Sequence, residues 1–344
     1  MSLKTDYAAG DQLLASDVNS NFKKTTYPFF GDGSDGNVTI SSNTTLTRDM
    51  YYNDLTINSG FELFPNGYRI FVRGTLTFVG TGKVSAYGGN GGNGGNGAAQ
   101  NGSGAGTAGT AGTRANTAGT LPASGTSGVG AQGQENTGGF SPSDAGAGSS
   151  TTKAINTTNG KAGGANNGGG TFGAAGTNTG TPVNPLKTYF DVYALLDLND
   201  TTIARMQITA GSGGGGGGGI GGSPLYYCGG GGGGAGAPGG IIWIAAFKIV
   251  TAASNVFADA HGGNGGNGGQ GGGGLNISTN GKIGSGGSAG NGGIIILIYQ
   301  ELTGTGTTNV AGGTKGLKGS AGQIASGADG LDGTAGVVYT VTPY

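Results

Sequence analysis

Between residues 36 and 80 the chain is a run of short alternating segments, VTIS, TTLTRDMYY, LTI, YRIFVRG and TLTFVG. They are rich in Thr, Ile, Val and Tyr and are broken every six to ten residues by Asn, Gly or Ser-Gly. No helical period survives there, so the pattern predicts strands, in either a β-sandwich or a β-solenoid whose coils stack. Two more strongly apolar runs follow, GGIIWIAAFKIV at 239–250 and GGIIILIYQEL at 292–302, and a last one, AGVVYTVTPY, closes the chain. Ahead of the strands, Ser16 is a good N-cap, and Asp17, Val18, Phe22, Lys23 and Lys24 suit a short helix with acid early and base late. Residues 1–30 therefore read as a small attachment segment.

An internal repeat favours stacked coils. Lys83-Val84-Ser85-Ala86-Tyr87 runs into GGNGGNGGNG (88–97), and Asn255 to His261 runs into GGNGGNGGQGGGG (262–274). A weaker copy takes Asn309-Val310-Ala311 into GGTKGLKGSAG (312–322). Ile241 and Ile294 are offset by 53 residues and Val256 and Val310 by 54, so spacing repeats as well as composition. Repeats of this length imply lateral stacking of like units.

Composition changes the picture, because 86 of the 344 residues are glycine. Glycine-rich sequence ordinarily reads as flexible linker, since glycine loses most entropy on ordering. Here the runs alternate with apolar strands, Asn recurs as G-G-N, and Gly213–Gly219 and Gly229–Gly234 are unbroken. The alternative is a bundle of left-handed helices with three residues per turn, packed through backbone hydrogen bonds, with Asn, Ser, Gln or Thr on solvent edges. Collagen shares the period but needs abundant proline, and only nine prolines occur. The fold class expected is mostly β with polyglycine II helices: an attachment segment (1–30), a β-solenoid (31–87), and a polyglycine-helix domain with inserted loops (88–344).

Charge and cysteine narrow the function. Sixteen basic and 17 acidic residues leave a net charge of −1, which gives no field for steering nucleic acid or an anionic bilayer. Cys228 is the sole cysteine, so no intrachain disulfide forms. No apolar stretch approaches 18 residues, so neither a signal peptide nor membrane insertion is expected. His261, the one histidine, can be drawn with Asp259 and a serine, but no nucleophile elbow surrounds any serine. Its plainer reading is a strand-end polar residue abutting glycine helix. Matches to G-x-G-x-x-G lack a strand-turn-helix setting. Asp32–Asn37 and Asp329–Gly333 resemble calcium loops faintly and turns better. No metal, cofactor or enzymatic activity is expected; a depolymerase would need paired carboxylates, and only Asp191, Asp197 and Asp200 cluster. The aromatics are more informative. Leu225, Tyr226 and Tyr227 stand between the two purest glycine runs, and Tyr189, Phe190 and Tyr193 lie in the insert at 186–210. They either cap the bundle or form a recognition surface. Trp243, inside IIWIAAF, reads as core.

The segment DYAAGDQLLASDVNSNF (6–22) resembles the N-terminal attachment segment of many tailed-phage tail proteins. MYYNDLTINSGFELFPNGYRIFVRGTLTF with its G-G-N repeats resembles glycine-rich phage tail fibre proteins, and the glycine motifs are similar to T-even-type tail fibre tip adhesins. That resemblance implies a virion protein of the phage tail, a receptor-binding adhesin contacting other tail proteins through its N-terminus and, as in many fibres, a homotrimer. It implies a bacterial surface receptor, glycan or outer-membrane protein, met by the inserts 98–166, 182–210, 223–228 and 275–284. The receptor-binding candidates are then Leu225, Tyr226, Tyr227, Tyr189, Phe190 and Tyr193. Unlike those adhesins, this chain carries its own attachment segment and strand region. The competing reading is an ice-binding or surface-coat protein built on the same bundle.

Overall fold

The computed structural model describes residues 28–98, 104–119, 121, 124–125, 127–133, 228–272, 283–320 and 327–342. The attachment helix expected within residues 16–24 lies outside them. Among the described residues the only helical element is a 3-10 turn at Pro28–Phe30, and the rest of the regular structure is strand.

Among the described residues two sheets hold all the strands. The first contains β1 (Asn37–Ile40), β3 (Met50–Tyr52), β4 (Asp54–Ile57), β6 (Ile70–Phe78), β8 (Ile241–Val250), β10 (Ile294–Thr303) and β12 (Val337–Val341). The second contains β2 (Thr44–Thr45), β5 (Glu62–Phe64), β7 (Lys83–Ser85), β9 (Val256–Asp259) and β11 (Thr307–Asn309). Every pairing is parallel, and the chain crosses repeatedly from one sheet to the other. That crossing divides TTLTRDMYY: Thr44–Thr45 joins the second sheet and Met50–Tyr52 the first. Conversely, YRIFVRG and TLTFVG form one strand. Gly74 does not break it, because the Asp54 carboxylate stands where a side chain at 74 would be and accepts the Thr75 N–H at 2.7 Å. The register shifts at that point.

Side chains between the sheets form the main core. Leu55 and Ile57 from β4, Leu76 and Phe78 from β6, Ile242 and Ile244 from β8, and Ile295 and Leu297 from β10 face Leu63, Val84 and Ala258 of the second sheet. The core is continuous across residue 87, where the composition changes, because β6 pairs with β8. A second apolar cluster lies on the other face of the first sheet: Ile241, Trp243 and Ala245 with Ile294, Ile296 and Ile298. Ile241–Ala246 of β8 and Ile294–Ile298 of β10 are buried on both faces, which is why they read as unbroken apolar runs rather than alternating ones. Trp243 is buried, as its sequence context implies.

Ile294 stands beside Ile241, so the 53-residue offset is a spatial register. The 54-residue offset is not: Asn309 pairs with Asp259, 50 residues earlier, and Val310 follows at the level of Ala260. The link from β10 to β11 is shorter than that from β8 to β9, and an irregularity between Thr307 and Thr308 adds to the shift in register.

Candidate functional site

Each long crossing leaves the strands through glycine. Segments I (88–98), V (261–272) and VII (311–320) continue β7, β9 and β11, and segments IV (228–240), VI (283–293) and VIII (327–336) lead back into β8, β10 and β12. Segments II (104–113) and III (127–133) pack beside them. Hydrogen bonds recur every third residue. Gly88, Gly91, Gly94 and Gly97 donate to His261, Asn264, Asn267 and Gln270, and Gly89, Gly92 and Gly95 donate to Thr113, Thr110 and Thr107.

Segment IV is the centre of this network. Successive amides from Gly231 to Ala237 donate in rotation to segments I, III and VI at 2.7–3.0 Å, while segments II and V donate to its carbonyls. A Cβ at Gly233 would lie 1.9 Å from Gly266 O, and one at Gly234 1.9 Å from Thr110 O. The pure glycine run is thus a steric requirement of backbone meeting backbone on several sides.

Where a segment reaches the surface, side chains replace backbone acceptors. Asn264, Asn267 and Gln270 N–H groups donate to Asn90, Asn93 and Asn96 Oδ1 at 2.8 Å, and Thr314 and Leu317 N–H groups to Asn264 and Asn267 Oδ1 at 2.8 Å. All these side chains are exposed, matching the solvent-edge position expected for Asn. At the far edge, Asp332 and Asp329 accept the N–H groups of Lys315 and Lys318. The Lys318 amide, aided by the Lys315 and Lys318 charges, holds the Asp329 carboxyl below its ordinary value. Neither calcium loop nor turn describes Asp329–Gly333: the matching spacing of K-G-L-K (315–318) and D-G-L-D (329–332) was the available signal. The turn reading does hold at Asp32, whose carboxylate accepts the Ser34 N–H at 2.9 Å.

A cluster of titratable groups spanning several strands crosses the second sheet. Asp259 Oδ1 lies 2.7 Å from His261 Nδ1 and accepts from Asn309 Nδ2 at 3.0 Å, and Lys83 Nζ lies 3.3 Å from Asp259 Oδ2 and 3.5 Å from Glu62 Oε1. Tyr87 stacks on the His261 ring, centroids 5.1 Å apart. Burial pushes the Asp259 carboxyl up, but the His261 bond and the Lys83 charge outweigh it and leave it below its ordinary value. Ser85 pairs in register with Asp259, yet its buried hydroxyl has no hydrogen-bond partner among the described residues and does not join Asp259 and His261 in a nucleophilic relay there. His261 lies one residue beyond the end of β9, past Ala260, and opens segment V, a position close to the plainer of its two readings.

The receptor-binding candidates Leu225, Tyr226, Tyr227, Tyr189, Phe190 and Tyr193 lie outside the described residues, as do the insert 182–210 and all of the insert 223–228 except Cys228. Part of the insert 98–166 belongs to the hydrogen-bonded network, as segments II and III. What sequence reading missed is that Asn and Ser side chains are acceptors for a neighbouring segment's amides. Among the described residues no His, Cys, Asp and Glu side chains group to hold a metal ion, and no helix is long and apolar enough to cross a membrane. No protein family, curated protein or solved structure matches the chain.

Proposed function

We propose that the protein is a phage tail fibre or tip adhesin, in which a β-solenoid passes into a lattice of polyglycine II helices that carries host-recognition loops. The observation that carries this reading is the rotation of donors along Gly231–Ala237 through three neighbours with a period of three. An extended chain with three residues per turn presents its amides in that rotation, whereas a strand bonds on two sides only. The alternation of parallel strands between two sheets supports the solenoid in the same way.

Such a scaffold is stiff without disulfides and nearly uncharged, and it has few lysines and arginines for trypsin-like proteases. It suits display of variable loops outside a cell, with Leu225, Tyr226 and Tyr227 and Tyr189, Phe190 and Tyr193 as the receptor-binding candidates.

Hydrogen exchange tests the scaffold: amides of Gly231–Ala237 and Gly262–Gly269 exchange far more slowly than an unfolded chain, and exchange at the unfolded rate removes the lattice. The function is tested by binding of labelled protein to a panel of intact bacteria. Saturable binding to particular strains, weakened by Tyr226→Ala/Tyr227→Ala, is expected; absence of binding to every strain overturns the adhesin.

A further inference from the structure

We infer that the exposed array on segments II, I, V and VII is itself a binding face for a linear, uncharged polysaccharide, separate from the loops. One row across the segments reads Thr113, Asn90, Asn264, Thr314, and the next, one period along, Thr110, Asn93, Asn267, Leu317; all are exposed. Rows repeat every three residues, roughly 9 Å for an extended threefold chain. Columns stand on the order of 5 Å apart, the separation that backbone hydrogen bonding imposes on extended chains.

The side chains are held, not merely present. Asn264 Oδ1 accepts both the N–H and the hydroxyl of Thr314, at 2.8 and 3.0 Å, and Asn90 Oδ1 accepts the Asn264 N–H at 2.8 Å. With each oxygen committed to backbone, the amide orientation is fixed and the Nδ2 groups of Asn90, Asn93, Asn264 and Asn267 remain as donors without a partner among the described residues. The result is a repeating set of preoriented donors beside the Thr110 and Thr113 hydroxyl groups, which can donate and accept, and the Thr314 hydroxyl, which accepts because its proton is given to Asn264.

That chemistry narrows the partner. The row residues carry no charge, and of the exposed cations beside them Lys315 and Lys318 stand against Asp332 and Asp329, so a polyanion gains little attraction over a neutral polymer. Leu317 is the only apolar member and no aromatic stands in the rows, so the anchor residues of a protein interface are missing. A polymer of hydroxyl-bearing units matches the donors and repeats as the face repeats. Little ordering entropy is lost by a face already pinned, and weak contacts along one polymer sum through avidity. The choice of ligand rests on the adhesin reading; the geometry does not.

The test uses the full chain and Asn93→Asp/Asn267→Asp. Aspartate still accepts the Asn267 and Leu317 amides but replaces the outward donor with negative charge. Retention is measured on immobilised dextran and other neutral polysaccharides, with polygalacturonate as the anionic comparison, alongside exchange protection at Gly266 and Gly316. The expected result is retention of wild type by a neutral polymer, at least tenfold weaker retention of the double variant with unchanged protection, and none by polygalacturonate. Thr110→Val, which leaves every backbone contact in place, is expected to weaken retention severalfold. Equal retention of wild type and both variants, or no retention of wild type on any neutral polymer, overturns the proposal. Thermal hysteresis without polysaccharide retention does so too, and makes the array an ice-binding face. Neutral-polymer retention by a protein that binds no bacterium removes the adhesin and leaves the face.

Discussion

Replacing Gly234 with alanine strikes the point where the backbone network is tightest. The new Cβ would lie 1.9 Å from Thr110 O and 2.6 Å from Thr110 C, against the 3.4 Å or more of ordinary contact, so segments II and IV must separate by about 1.5 Å. At that distance the 2.9 Å bonds from Gly109 to Gly232 and from Gly112 to Ala235 are lost. Two buried bonds left open cost about 1–3 kcal/mol each. Alanine restricts the unfolded chain and returns only about 0.4–1 kcal/mol. The net expectation is destabilisation of about 1–6 kcal/mol, a large part of an ordinary folding free energy of roughly 5–15 kcal/mol. Gly104→Ala is the control: its Cβ would meet only Ala98 Cβ, at an ordinary 3.6 Å. Thermal or denaturant midpoints of the two variants, read with exchange protection along segment IV, compare them directly. Equal midpoints for Gly234→Ala and Gly104→Ala would falsify the close-packing argument, since composition and helix-independent entropy are the same in both.

Acid titration probes Asp259. Its folded carboxyl titrates below its unfolded value, so the stability it supplies is full above about pH 4 and is lost as pH falls through the lower folded value. Asp259→Asn should flatten that acid limb of the unfolding midpoint; an unchanged limb removes the role given to His261 and Lys83. Asn116 is buried with its amide at the Ile241 backbone, where segment IV enters β8, so Asn116→Ala is expected to cost about 1–3 kcal/mol in urea unfolding. Ile242 is fully buried between the sheets; Ile242→Ala should cost about 2–5 kcal/mol and Ile242→Val about 0.5–1.5 kcal/mol by the same measurement, and similar small losses for both would remove Ile242 from the core.

Local pattern made the strands legible. Apolar alternation marked β1, β4 and β6, and the doubly buried runs marked β8 and β10, because burial on one face or two leaves a direct imprint on which residues follow one another. The G-G-N period likewise marked which positions reach the surface. β5 escaped, being a short stretch of Glu62–Phe64 whose neighbours give no strand pattern of their own. The aromatic candidates from the sequence lie outside the described residues, whereas the surface array is described in full.

What the sequence determined by itself is that glycine and apolar strand alternate in repeating units with period-three punctuation. Only the tertiary structure decided which glycine faces which. Glycine has no side chain to encode a partner, so the pairing of Gly231 with Gly95 and of Gly233 with Ser285 comes from the register of the strands at either end of each segment. The apolar strands carry the specificity, and the backbone, stripped of side chains, packs wherever they bring it.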